Sequence, residues 1–278
     1  MKLKNFLKHP ASTLTSSLLL SALAIVSSNY VQNKICALPE YKIQNNFENN
    51  TLPPWLNQQN ISQLNPPKIS LFQENLIFQL TYQYQQIPWI RKILSIQKSY
   101  PNHVQIKLKL RRPLCWSYVQ KDKFFWDKDA FPIHQRYVHP KLQLPQIIGI
   151  PSPTTPSKKN LSAIQQACYL LHKLNQHNLV QKLHITKIDL SNIHGKINPK
   201  ESEIVLLTKH NIAIEWGRSQ LSTKPNPVPT SEKIQALQKI LKLYPNLHHI
   251  QRIRLQFGQD NLALVLAYNK SNKPSLSR

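Results

Sequence analysis

The sequence predicts an α+β protein: a single N-terminal transmembrane helix, a small α+β module, and a mixed β-domain carrying two helices. Three observations lead there. Uncharged residues run without a break from Pro10 to Asn33. Helical apolar periodicity gives way to strict two-residue alternation on either side of Pro88. Beyond Pro113, short strands at turn-limited spacing are twice interrupted by amphipathic helices. A chain of 278 residues with 41% hydrophobic content can build cores of that size.

Lys2, Lys4 and Lys8 precede the uncharged stretch. As a helix rising ~1.5 Å per residue it reaches ~36 Å, against a bilayer core of ~30 Å. Ser12, Thr13, Thr15, Ser16, Ser17 and Ser21 dilute its apolar centre, Leu18 to Val26, so a retained span over 10–33 and a signal segment are both open. Poor cleavage options after the core, such as Val26-x-Ser28, weigh toward the span. The lysine bias places residues 1–9 in the cytoplasm as a short tail and the bulk of the chain outside.

Residues 34–68, rich in Asn, Gln and Pro, read as a linker and the ill-defined start of the small module, which then occupies 69–112. In that module Leu76, Leu80, Tyr84 and Ile87 share one helical face, and Pro88 closes the helix because it has no N–H for the ladder. A strand over 91–99, a Tyr100-Pro101-Asn102 turn and a second strand over 103–112 follow. Val104, Ile106, Leu108 and Leu110 take the second strand's buried face; His103, Gln105, Lys107, Lys109 and Arg111 take the wet one.

The β-domain is assigned to 113–268. Its first strands lie in LCWSYV, KFFWD, FPI and LQLPQIIGI. A helix with the stripe Leu161, Ile164, Cys168, Leu171 and Leu174 follows, then strands in ITKIDLS, EIVLLTK and IAIEWG. A second helix, capped by Ser231, carries Ile234, Leu237, Leu241 and Tyr244. HIQRIRLQF and LALVLAY make a terminal hairpin, and the polar tail 269–278 is expected to be disordered.

The 36 Lys and Arg against 12 Asp and Glu give a net charge of +24, which points to an anionic partner. Translocation out of the cytoplasm removes nucleic acid from that set and leaves anionic lipid or wall polymer. With only 4 Gly, glycine-rich nucleotide signatures are absent. Asp127 and Asp129 fall in a turn; Asp189 and Glu215 fall in strands near basic residues and read as surface ion pairs. His172 and His177 lie on different helical faces, His248 and His249 point to opposite sides of a strand, and no zinc-protease motif occurs. Cys36, Cys115 and Cys168 lack metal spacing; burial as small apolar residues and a Cys115–Cys168 disulfide both stay open. The residues therefore offer no enzyme, no cofactor and no metal site. Binding remains, either by basic strand faces or by an exposed strand edge that accepts a partner strand. Alternation in the terminal strand puts Leu262, Leu264, Leu266 and Tyr268 on one face and Ala263, Val265 and Ala267 on the other, compatible with a core strand or an edge.

Several motifs stand in a set order: Pro88-Trp89-Ile90, Tyr100-Pro101, Arg111-Arg112-Pro113 leading to Trp116, Asp127 to Phe131, and Leu144-Pro145 with Gly149. Together with a short basic tail and one span, this order resembles the bacterial cell-division family FtsQ, called DivIB in Gram-positive bacteria. The chain departs from the family at Leu110 and Arg111, where Glu is usual, at Ala130 in place of the hairpin Gly, and in lacking an opening strand signature over 37–60. The resemblance implies a single-pass protein of the cytoplasmic (inner) membrane at the division septum, whose 69–112 module is a POTRA-like domain. It further implies a non-enzymatic scaffold that binds FtsB- and FtsL-like bitopic proteins, alongside other divisome proteins, through its C-terminal strands. By position, the partner-binding expectation falls on Arg252, Arg254, Leu262, Leu264, Leu266 and Tyr268.

Overall fold

The computed structural model describes residues 10–37, 53–65, 69–100, 102–150, 158–222, 228–245, 247, 250–255 and 264–267. The tail 269–278, Pro101 and the His248-His249 pair fall outside the described residues. The chain is mixed α+β, with one large sheet, a separate hairpin and several helices. It divides into two compact units: Met1–Leu52 with Gln59–Leu110, and Pro53–Gln58 with Arg111–Arg278.

Helix α1 covers Pro10–Ala37, a turn beyond the predicted Asn33, because no Gly or Pro interrupts the chain there until Pro39. Among the described residues, however, no helix is long and apolar enough to cross a membrane. α1 has the length expected of the 10–33 segment, but its Ser and Thr residues lower its apolarity. Two of those hydroxyls are bonded within the helix, Ser21 Oγ donating to Leu18 O at 2.8 Å and Ser27 Oγ to Ala24 O at 3.0 Å.

In the first unit a 3-10 helix (Gln58–Leu64) precedes α2 (Leu76–Gln85) and the antiparallel hairpin of β1 (Ile90–Ser99) and β2 (His103–Leu110). The predicted helical face is the core: Leu76, Leu80 and Tyr84 are fully buried, with Ile87, Leu64 and Trp89 beside them. The Tyr84 hydroxyl donates to Leu64 O at 2.6 Å, and removal from water pushes its pKa well above the usual phenol value. On β2 the alternation is as expected, but Val104, Ile106, Leu108 and Leu110 are only half-buried. A two-stranded sheet is too narrow to seal its own inner face.

Among the described residues the second unit is built on nine strands: β3 (Cys115–Val119), β4 (Asp122–Trp126), β5 (Pro132–His134), β6 (Gln146–Ile148), β7 (Ile185–Asp189), β8 (Ile204–Thr208), β9 (Ala213–Gly217), β10 (Ile250–Arg254) and β11 (Leu264–Ala267). Their order across the sheet is β11-β10-β9-β8-β7-β6-β3-β4-β5. Two connections are parallel crossovers, β6 to β7 through α3 (Lys158–Gln176) and α4 (Leu179–Lys182), and β9 to β10 through α5 (Thr230–Leu243). Residues of α3 and α5 and the inward residues of β7 to β10 form one core, including Ile164, Cys168, Leu171, Leu174, Ile188, Leu206, Ile214, Leu237 and Ile253. Leu161, at the start of the predicted α3 stripe, is 36% exposed and marks where the core ends.

Three sequence expectations need correction here. Ser231 is not the cap of α5: Lys233 N donates to Pro229 O at 3.2 Å, so the helix starts at Thr230 with Pro229 as its N-cap. Tyr244 lies past the helix end and is half-exposed, while Lys233, Ala236 and Ile240 join Ile234 and Leu237 on the buried face. Part of the expected linker belongs to the second unit: Leu56 bridges Val138, His139 N donates to Trp55 O at 2.7 Å, and Asn57 N donates to Tyr137 O at 3.0 Å.

The motif residues have specific duties in this unit. Trp116 donates its backbone N–H to Pro145 O and its indole N–H to Leu144 O, both at 3.0 Å, which seats β6 beside β3. Gly149 has φ +78°, and a Cβ there would overlap Ser191 N and sit 2.6 Å from Asp189 Oδ1. Only glycine fits that approach. Asp189, expected in an ion pair, instead accepts from Ser191 N at 2.8 Å and caps the turn after β7.

Candidate partner-binding edge

The helices cover one face of the sheet and leave the other to a different population of residues. On β7 to β10, the positions between the core residues form two rows. One runs Asp189, Val205, Glu215, Arg254 and Leu264; the other runs Lys187, Leu207, Ala213, Arg252 and Leu266. Such cross-strand neighbours lie close enough to interact in pairs. Val205, Leu207 and Ala213 are half-buried, a mildly apolar floor beside a charged centre.

That centre is Glu215, only 14% exposed at its side chain, which faces both predicted arginines. Arg252 Nη1 lies 3.1 Å from its Oε1, and Arg254 Nε lies 3.0 Å from its Oε2. The Arg254 contact is an ion pair rather than an aligned hydrogen bond, since its Nε is buried without a bonded partner. The expectation of a surface ion pair at Glu215 holds, with one carboxylate shared by two guanidinium groups. The residual charge of the trio is positive.

β11 lies at the sheet margin. It pairs antiparallel with β10, Leu264 opposite Arg254 and Leu266 opposite Arg252, and among the described residues no strand pairs with its far side. Among the described residues, β11 is therefore a margin strand. The structure thus brings Arg252, Arg254, Leu264 and Leu266 together; Leu262 and Tyr268 lie outside the described residues.

A polar network that sequence reading missed stiffens the loops and strand ends beneath this region. Lys233, 2% exposed, donates from Nζ to Trp216 O at 2.8 Å and Arg218 O at 3.3 Å, and lies 5.2 Å from the Trp216 ring centre. Burial lowers its pKa from 10.5 to about 8. Glu203, 2% exposed, pairs with Arg218 at 3.1 Å and accepts from His194 N at 3.2 Å. The Asn192 carboxamide accepts from Ile197 N and Asn198 N, both at 2.9 Å, and donates to Ser202 O at 3.1 Å. A signal for Lys233 was present, since it lies four residues before Leu237 on the apolar stripe.

Asp127 is a second buried acid whose work is structural. Its Oδ1 accepts from Asp129 N at 2.9 Å and Phe131 N at 2.8 Å, and its Oδ2 receives Arg111 Nη1 at 2.8 Å. The Arg111 guanidinium stacks 3.6 Å over the Phe131 ring. With its acceptors occupied, Asp127 fixes the β4–β5 turn, in which Ala130 adopts a left-handed φ of 56° at the place of the motif's glycine. Among the described residues, no group of three or more His, Cys, Asp or Glu is placed to hold a metal ion.

No family model and no curated protein matches this chain. The edge presents backbone groups along β11, two arginines with a shared carboxylate, and an apolar floor. Groups of these kinds hold partner chains at protein interfaces in general.

Proposed function

We propose that this chain is a non-enzymatic division scaffold of the FtsQ/DivIB type. It links septum-assembly proteins outside the cytoplasm and binds FtsB- and FtsL-like bitopic partners by strand addition to β11. The observation that carries the reading is the place of β11, a margin strand of sequence LVLA containing neither Pro nor a charged residue. Natural sheet margins normally carry such devices against pairing, and a margin without them suits a dedicated partner. Support also comes from the motif order, whose members Trp116, Leu144, Pro145, Asp127 and Gly149 hold the sheet together. The small module is the POTRA-like domain in this reading, and α1 is the membrane attachment. For α1 the support is the lysine-rich tail ahead of it and serines that satisfy their own hydroxyls inside the helix.

Depletion in the native host tests this directly. The expected result is filamentous cells with unfinished septa; normal septation overturns the proposal. Cleavage of α1 is read separately from the N-terminal mass of the membrane-extracted protein.

A second reading is favoured by a different feature. Between α4 and α5 lies an open groove of about 690 Å³ lined by Leu179, Lys182, Gln235, Gln238, Lys239, Leu241, Lys242 and Pro245, with three lysines and no carboxylate. It suits an anionic lipid headgroup or wall polymer. Binding to anionic vesicles that disappears at high salt, with no bitopic partner co-purifying, would favour this reading over the scaffold.

A further inference from the structure

The sulfurs of Cys115, at the start of β3, and Cys168, in the middle of α3, lie 3.7 Å apart and 53 residues apart in sequence. Both residues are fully buried, and in this structure both are thiols. A disulfide requires ~2.05 Å between the sulfurs, so an approach of ~1.7 Å separates the pair from a covalent bond. The two thiols are hydrogen-bonded to each other, and Cys168 is also bonded to the Ala130 backbone. We propose that Cys115 and Cys168 are a disulfide site, closed by exchange with a small disulfide as the domain folds, which ties α3 to the sheet. The inference rests on this thiol pair and not on the division role.

The chemistry balances through two displacements. One cysteine, as its thiolate, attacks the small disulfide, expels one thiolate and becomes a mixed disulfide. The second cysteine thiolate attacks the mixed disulfide at the protein sulfur and expels the other. Two cysteine protons pass to the two departing thiolates, and the protein's two sulfurs are oxidised while one small disulfide is reduced to two thiols. Full burial dictates when this happens. Inside the folded unit the Cys168 thiol is held well above the ordinary thiol range, first by its hydrogen bond with Cys115 and then by burial, with the Asp127 charge adding to both. Exchange therefore belongs to the folding or opened chain, and packing of α3 against β3 then selects this pair.

The test refolds the full chain from denaturant in a mixture of oxidised and reduced glutathione, followed by alkylation and peptide mass mapping. The expected product links Cys115 to Cys168, leaves Cys36 alkylated, and melts about 10 °C above the reduced protein, since the cross-link closes a long loop. Reduction of the same sample removes the shift, so the wild-type chain serves as its own control even if Cys168→Ala fails to fold. Alkylation of both Cys115 and Cys168 after oxidising refolding overturns the proposal. So does a cross-link to Cys36, or a cross-linked product that melts no higher than the reduced one.

Discussion

The two margins of the nine-stranded sheet are built to opposite ends. At one margin β5 is only 3 residues long, begins with Pro132, which has no N–H to offer, and runs straight into the 3-10 helix Gln135–Tyr137. The turn before it is fixed by Asp127 and Arg111, and Leu56 bridges Val138 just beyond. At the other margin β11 offers 4 residues with neither proline nor charge, and its only described neighbour is β10. One edge is closed by covalent geometry and a fixed turn, and the other, among the described residues, has no strand beside it. The proposed partner strand is assigned to the margin that lacks such protection among the described residues.

The largest effect should come from removing the bare edge. A chain truncated after Gly258 is expected to lose co-purification of the proposed bitopic partner entirely, while the β5 margin keeps its fold; retained co-purification would place the partner elsewhere. Opening the closed edge should act on stability instead. Asp127→Ala removes the buried ion pair with Arg111 and frees the β4–β5 turn, with an expected loss of about 3 kcal/mol in urea unfolding. The protein that remains folded should still bind its partner.

Lys233 gives the β9–β10 region a pH signature. Its pKa is about 8 folded against 10.5 unfolded, so between those values the unfolded chain holds the proton that the folded chain has shed. Stability attributable to this group therefore rises from pH 8 to pH 10.5, by on the order of 3 kcal/mol, and its cost is fully present below pH 8. Urea midpoints of the wild type and Lys233→Met across that range should converge at low slope for the variant; parallel curves would deny the burial cost. The smallest effect is expected at the surface. Glu215→Gln leaves Arg252 and Arg254 without their shared carboxylate and should cost about 1 kcal/mol or less, because both guanidinium groups are partly exposed. Partner binding should become more dependent on salt.

Elements with strict periodicity could be read from the residues alone. Leu76, Leu80 and Tyr84 on α2, the apolar rows of β7 to β9, and Ile164, Cys168, Leu171 and Leu174 on α3 all follow from two-residue or helical spacing. Turns were harder to read, and composition explains why. With 4 Gly in the chain, the left-handed positions fall to Gln120, Ala130, Asn178, His184, His194, Asn211 and Leu247, most of which carry no turn signal. Pro53–Gln58 was hidden for another reason. Its attachment to residues 137–139 is a long-range pairing of a few bonds, which leaves no local pattern. At the candidate site, the strands that carry Arg252, Arg254, Leu264 and Leu266 could be read from alternation, but Glu215's double duty depends on the parallel register of β9 and β10. Local sequence does not encode that register.

The central claim is that β11 receives a partner strand through its outward backbone. Amide hydrogen exchange at Leu264, Val265, Leu266 and Ala267, measured on the full chain alone and with its co-expressed bitopic partner, tests it most directly. In the free chain the account predicts alternating exchange, slow at amides bonded to β10 and fast at those facing away; with partner bound, all become slow. A partner that binds while the outward amides of β11 keep their fast exchange would contradict it.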